Sequence, residues 1–141
     1  MVKDDRKEAL MISDIVAIIA VTGFFGLTVY QLLLALGFPL GEVAWGGKYR
    51  ILPVTLRIAS FFSALVFVFV SISVLEKVGM ITVFNNQTFV KWVVWIFTAF
   101  LGLNTLSNFF GGSRLEKRYM TPVSLVLALL CLFLSLTGVE E

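Results

Sequence analysis

The 141-residue chain contains no histidine. That absence excludes His-ligated haem, Ser–His and Cys–His dyads, His-based metal sites and an imidazole pH switch. Its single cysteine, Cys131, stands among leucines. One thiol cannot form an intrachain disulfide, and in that setting it reads as a small apolar filler. Charge is scarce: 14% of residues are charged, where a soluble domain carries about a quarter. A net charge of +2 does not point to a nucleic-acid partner. No phosphate-cradling loop, nucleophile elbow or metal-ligand spacing occurs. Gly46-Gly47-Lys48 lacks the first glycine of a P-loop and follows no βαβ strand. No cofactor or metal is therefore expected.

Hydrophobic residues make up 59% of the chain, which places it in the membrane class. Four apolar spans lie over about residues 13–36, 53–75, 90–110 and 119–137. The first, from Ile15 to Leu36, would extend about 33 Å as a helix, enough for a hydrocarbon layer of roughly 30 Å. It exceeds the about 7–15 apolar residues of a cleaved signal peptide. The expected fold is an all-α membrane protein, a four-transmembrane-helix bundle in one integral domain.

Local signals punctuate these spans. Met1–Leu10 is a mixed-charge lead, expected as a frayed turn at the water surface. Ser13 or Asp14 can cap the first span; Asp14 would instead be a proton or cation site if it lay inside the membrane. Ala20, Gly23 and Gly26 form a small-residue stripe that suits close helix approach. Gly37 and Pro39 end the first span, and Pro53 opens the second. Asn85-Asn86 marks a turn. Thr121 and Pro122 suit the start of the fourth span.

Leu36–Arg57 differs from the rest of the chain. It holds Gly37, Gly41, Gly46, Gly47, Pro39, Pro53, Trp45, Tyr49 and Glu42 between two spans. The Gly46-Gly47 pair suits a two-residue turn, so Glu42–Trp45 and Lys48–Ile51 are expected to pair as a β-hairpin or to form a compact loop. The charged residues nearest the membrane gather on this side. Arg57 lies one turn inside the second span and either snorkels to lipid headgroups or pairs inward with Glu42 or Glu116. Asn104 and Asn108 share one face of the third span. Amides in hydrocarbon are costly unless bonded, so that face points at protein. It either bonds neighbouring helices or joins Gln31 in offering hydrogen bonds to a ligand.

Four spans put both termini on one side. Lys3, Arg6, Lys7, Lys77 and Lys91 lie there, against Lys48, Arg50, Arg57, Arg114, Lys117 and Arg118 on the loop side. The positive-inside rule then leans toward cytoplasmic glycine-rich loops and external termini.

The stretch LGFPLGEVAWGGKYRILPVTLR, with Asn104, Asn108 and SRLEKRYMTP (Ser113 to Pro122), resembles a family of uncharacterised small bacterial four-span membrane proteins. These carry a GxPxG…WGG…LPxxLR first loop and a second loop that Ser-Arg-x-Glu represents here. The resemblance covers most of Leu36 to Pro122 and implies a multi-pass bacterial inner-membrane protein. It brings no activity. It suggests that Gly37, Pro39, Gly41, Glu42, Trp45, Gly46, Gly47, Pro53, Arg57, Asn104, Ser113 and Glu116 form one site or one structural lock.

The expected function is non-enzymatic: binding of a lipid-like or small amphipathic ligand, or of a partner membrane protein, at the glycine-rich loop face. Glu42, Trp45, Arg57, Asn104, Asn108 and Glu116 are the candidate residues. One alternative is a small homo-oligomeric transporter coupled through Asp14, although no carboxylate stands at mid-span. Another is a membrane enzyme using Glu42 or Glu116 as acid or base, for which no nucleophile or metal set is present.

Overall fold

The structure is a computed structural model and describes residues 1–137. The helices are α1 (Val2–Ala35), α2 (Val54–Lys77), α3 (Gln87–Gly111) and α4 (Thr121–Leu136). A π-helical turn, Glu116–Met120, leads into α4, and two 3-10 turns, Gly41–Val43 and Trp45–Gly47, lie between α1 and α2. α1, α2, α3 and the run Glu116–Leu136 are each long and apolar enough to cross a membrane. Helices satisfy their own backbone groups, so such runs can cross lipid where loops cannot. The chain is a multi-pass membrane protein.

α1 packs chiefly on α2 and α3 on α4, and α2–α3 and α1–α4 contacts close the ring. Ala17, Ala20, Phe24, Val70, Val74, Val94, Phe97, Leu101, Leu127, Cys131 and Leu134 form the main core. Cys131 is thus the buried filler its surroundings suggested. At the centre, Phe24 stacks on Phe67 with centroids 6.1 Å apart and meets Phe97 edge-on at 5.7 Å. Small residues decide where helices approach most closely. A Cβ on Gly23 would stand 2.8 Å from Leu127 Cδ2, so Gly23 lets α1 approach α4. Gly26 faces open space and does not extend that contact. Hydroxyl pairs join α3 to α4: Thr98 with Ser135 at 3.2 Å, and Thr105 donating to Ser124 at 3.0 Å.

Three expectations are corrected. α1 begins at Val2 with Met1 as its N-cap, so Asp14 lies inside a continuous helix and caps nothing. The helix of 34 residues is about 51 Å long, beyond the roughly 30 Å of a hydrocarbon layer. Thr121 is likewise no cap: it continues the helical run, and its Oγ1 is buried without a partner among the described residues. No strand occurs among the described residues, so Glu42–Trp45 and Lys48–Ile51 are not a β-hairpin. Gly41 N–H donates to Arg50 O at 2.8 Å, but Gly46 N–H goes to Glu116 and Gly47 N–H to Ala44 O. The donors a ladder needs are committed elsewhere.

The expected end of the first span holds. Phe38 N–H bonds Leu33 O and Gly37 N–H bonds Leu34 O, with Gly37 at φ +93°. This is a Schellman ending, and the positive φ explains the glycine. At the other end of the bundle, the Glu76 carboxylate accepts the backbone N–H groups of Val83 and Phe84 at 2.9 and 2.8 Å. It thereby shapes the α2–α3 turn. Asn86 then caps α3 by accepting Phe89 N–H at 3.0 Å.

Candidate functional site

The two loops at the glycine-rich end are locked together. Ser113 and Glu116 form a reciprocal capping box. Glu116 N–H donates to Ser113 Oγ at 3.2 Å, and Ser113 N–H donates to Glu116 Oε2 at 2.8 Å. Each partner also reaches across to the first loop. Glu116 Oε1 accepts Gly46 N–H at 2.9 Å, and Ser113 Oγ donates to Glu42 O at 3.1 Å. Glu116 is only 5% exposed, so its charge is held by oriented backbone amides rather than by water.

The glycines fit this lock for distinct reasons. Gly47 has φ +69°, and a Cβ there would stand 2.6 Å from Ser113 Cβ and Oγ. A Cβ on Gly41 would collide with the Tyr49 carbonyl. The lock is seated on the bundle by a second apolar cluster of Leu34, Ala44 and Leu52. Tyr30 of α1 donates its hydroxyl to Leu40 O at 2.8 Å, and Trp45 Nε1–H donates to Ser60 Oγ of α2 at 3.0 Å.

Beneath the lock lies a cavity of about 390 Å³ lined by all four helical runs. Ligand cavities commonly hold about 300–1,000 Å³. Leu27, Phe67, Phe100 and Leu101 supply much of its apolar wall. Trp45, Asn104, Asn108 and Glu116 all line it, together with Tyr30, Gln31, Ser63 and Ser124. Four of the six candidate residues therefore meet at one place. Asn104 and Asn108 are not the bonds between α3 and α4; the Thr–Ser pairs are. The two amides face the cavity and have no side-chain partner among the described residues. Gln31 Oε1 is buried and also has no partner among them.

Glu42 and Arg57 fall outside this cavity. The Glu42 side chain is exposed, and only its carbonyl joins the lock. Arg57 pairs with neither Glu42 nor Glu116. Its Nε donates to Ala35 O at 2.9 Å, satisfying a carbonyl that the end of α1 leaves free. Its charge stands at the negative end of that helix, a favourable place for a cation. Arg57 also borders a separate apolar groove with Leu32, Val54, Ile58 and Phe61. Ser113 and Glu116 were named from the sequence, but their capping-box relation was not, nor was Tyr30. Ser113-x-x-Glu116 is a legible capping-box pattern. Tyr30, an unremarkable aromatic within a span, gave no such signal.

These features define a four-helix membrane bundle with a cavity beneath its locked loops. No protein-family model matches the chain, and searches of curated proteins and of solved structures return no match either. The likeness to small bacterial four-span proteins thus rests on the loop motifs alone.

Proposed function

We propose that the chain is a non-enzymatic membrane protein that holds a lipid-like or small amphipathic ligand in the cavity beneath the locked loops. The carrying observation is the convergence of Gln31, Asn104 and Asn108 on an otherwise largely apolar cavity. A buried amide oxygen without a partner, as at Gln31 Oε1, is costly, and a ligand bearing a polar head and an apolar body would satisfy both wall types. The proposed setting is a bacterial inner membrane with the glycine-rich loops on the cytoplasmic side.

The enzymatic alternative has less support. The Glu42 side chain is exposed outside the cavity, and both Glu116 oxygens already hold backbone amides. Proton coupling through Asp14 gains none from the cavity: Asp14 precedes Leu27 by about 20 Å along α1.

The test is native mass spectrometry of the protein extracted in mild detergent. A small-molecule adduct is expected on the wild type and is lost in Asn104→Phe, which fills the cavity. Identical spectra for the two folded proteins refute the reading.

A further inference from the structure

Resting on that reading, we infer that the cavity selects a hydrophobic primary amine, bound as its ammonium, rather than an anionic or neutral amphiphile. Hydroxyl and indole protons on the wall are committed to the protein. Tyr30 donates to Leu40 O, Trp45 to Ser60 Oγ, Ser63 to Ala59 O, and Ser124 to Met120 O. The Tyr30 and Ser63 hydroxyls therefore keep lone pairs, not protons, for an occupant, while Ser124 Oγ already accepts Thr105. Gln31 Oε1 adds a buried acceptor without a partner. The free donors on the wall are then the amide NH₂ groups of Gln31, Asn104 and Asn108.

Charge points the same way. Glu116 lines the cavity, and no Lys or Arg does. The one basic residue among the candidates, Arg57, is bound to the end of α1 and borders a different groove. An anionic head would face a carboxylate with no cation on the wall to offset it, in a site where charges are weakly screened. An ammonium brings three N–H donors and a positive charge to the amide and hydroxyl oxygens of the wall, whose free donors are neutral amides. Its carbon body would lie among Leu27, Phe67 and Phe100.

The probes are decylamine, decanol and decanoate, which share one alkyl chain. Each is titrated at neutral pH into the full chain reconstituted in phosphatidylcholine nanodiscs, with Asn104→Phe discs as the blank for partition into lipid. After that subtraction, decylamine is expected to bind at least tenfold more tightly than decanoate, with decanol between. Asn108→Lys, which adds a cation to the wall, is expected to shrink or invert that ratio. Decanoate or decanol binding as tightly as decylamine to the wild type overturns the head-group assignment while leaving the cavity reading intact. No probe distinguishing wild type from Asn104→Phe overturns both.

Discussion

Glu116→Gln isolates the contact on which the loop lock depends. The wild-type carboxylate accepts Gly46 N–H at 2.9 Å and Ser113 N–H at 2.8 Å. Hydrogen bonds to charged groups contribute about 1.5–3 kcal/mol each, and an orphaned buried donor costs about 1–3 kcal/mol. Glutamine keeps one acceptor oxygen and sets an NH₂ group against the other backbone N–H. One bond is lost outright and the survivor becomes a neutral one. The expected destabilisation is about 2–4 kcal/mol. Glu42→Gln is the control: that side chain is exposed and outside the lock, so a change within about 0.5 kcal/mol is expected. The assay is reversible unfolding in mixed maltoside–dodecyl sulfate micelles, followed by tryptophan fluorescence. Hydrogen exchange adds a local readout, since at least one of the Gly46 and Ser113 amides loses protection when the carboxylate keeps a single acceptor. A Glu116→Gln protein as stable as Glu42→Gln, with both amides still protected, refutes the lock.

Two further outcomes follow from the loop geometry. Gly46 and Gly47 both have positive φ, but a Cβ on Gly46 meets open space whereas one on Gly47 meets Ser113 and Glu42 O. Gly46→Ala should cost about 1–2 kcal/mol of backbone strain, and Gly47→Ala about 1–3 kcal/mol more from overpacking, in the same unfolding assay; equal costs would mean the loops do not touch there. Trp45→Phe should cost about 1 kcal/mol by removing the indole bond to Ser60; a double-mutant cycle with Ser60→Ala that shows no coupling would exclude that bond.

Much of this protein is legible in its sequence. Four spans follow from apolar runs long enough to cross lipid, because only a helix satisfies its own backbone there. Gly37 and Pro39 mark the end of α1, because a Schellman ending requires a residue that tolerates positive φ and proline cannot prolong the helix. The spacing of Asn104 and Asn108 placed both on one face that had to be shielded from lipid. What that face meets was not legible. Spacing fixes which residues share a side of a helix, but not how the helix is rotated against its neighbours, and helices apolar nearly all round leave that rotation weakly encoded. The tertiary structure turned the amides into the cavity and gave the α3–α4 contacts to Thr98, Ser135, Thr105 and Ser124. It also separated Arg57 from the glutamates, because the free carbonyl at the end of α1 was nearer. The Gly46–Glu116 bond joins residues 70 positions apart. Only packing of the two loop-bearing ends could bring that carboxylate to those amides, and with both oxygens committed it closes the bundle over the cavity.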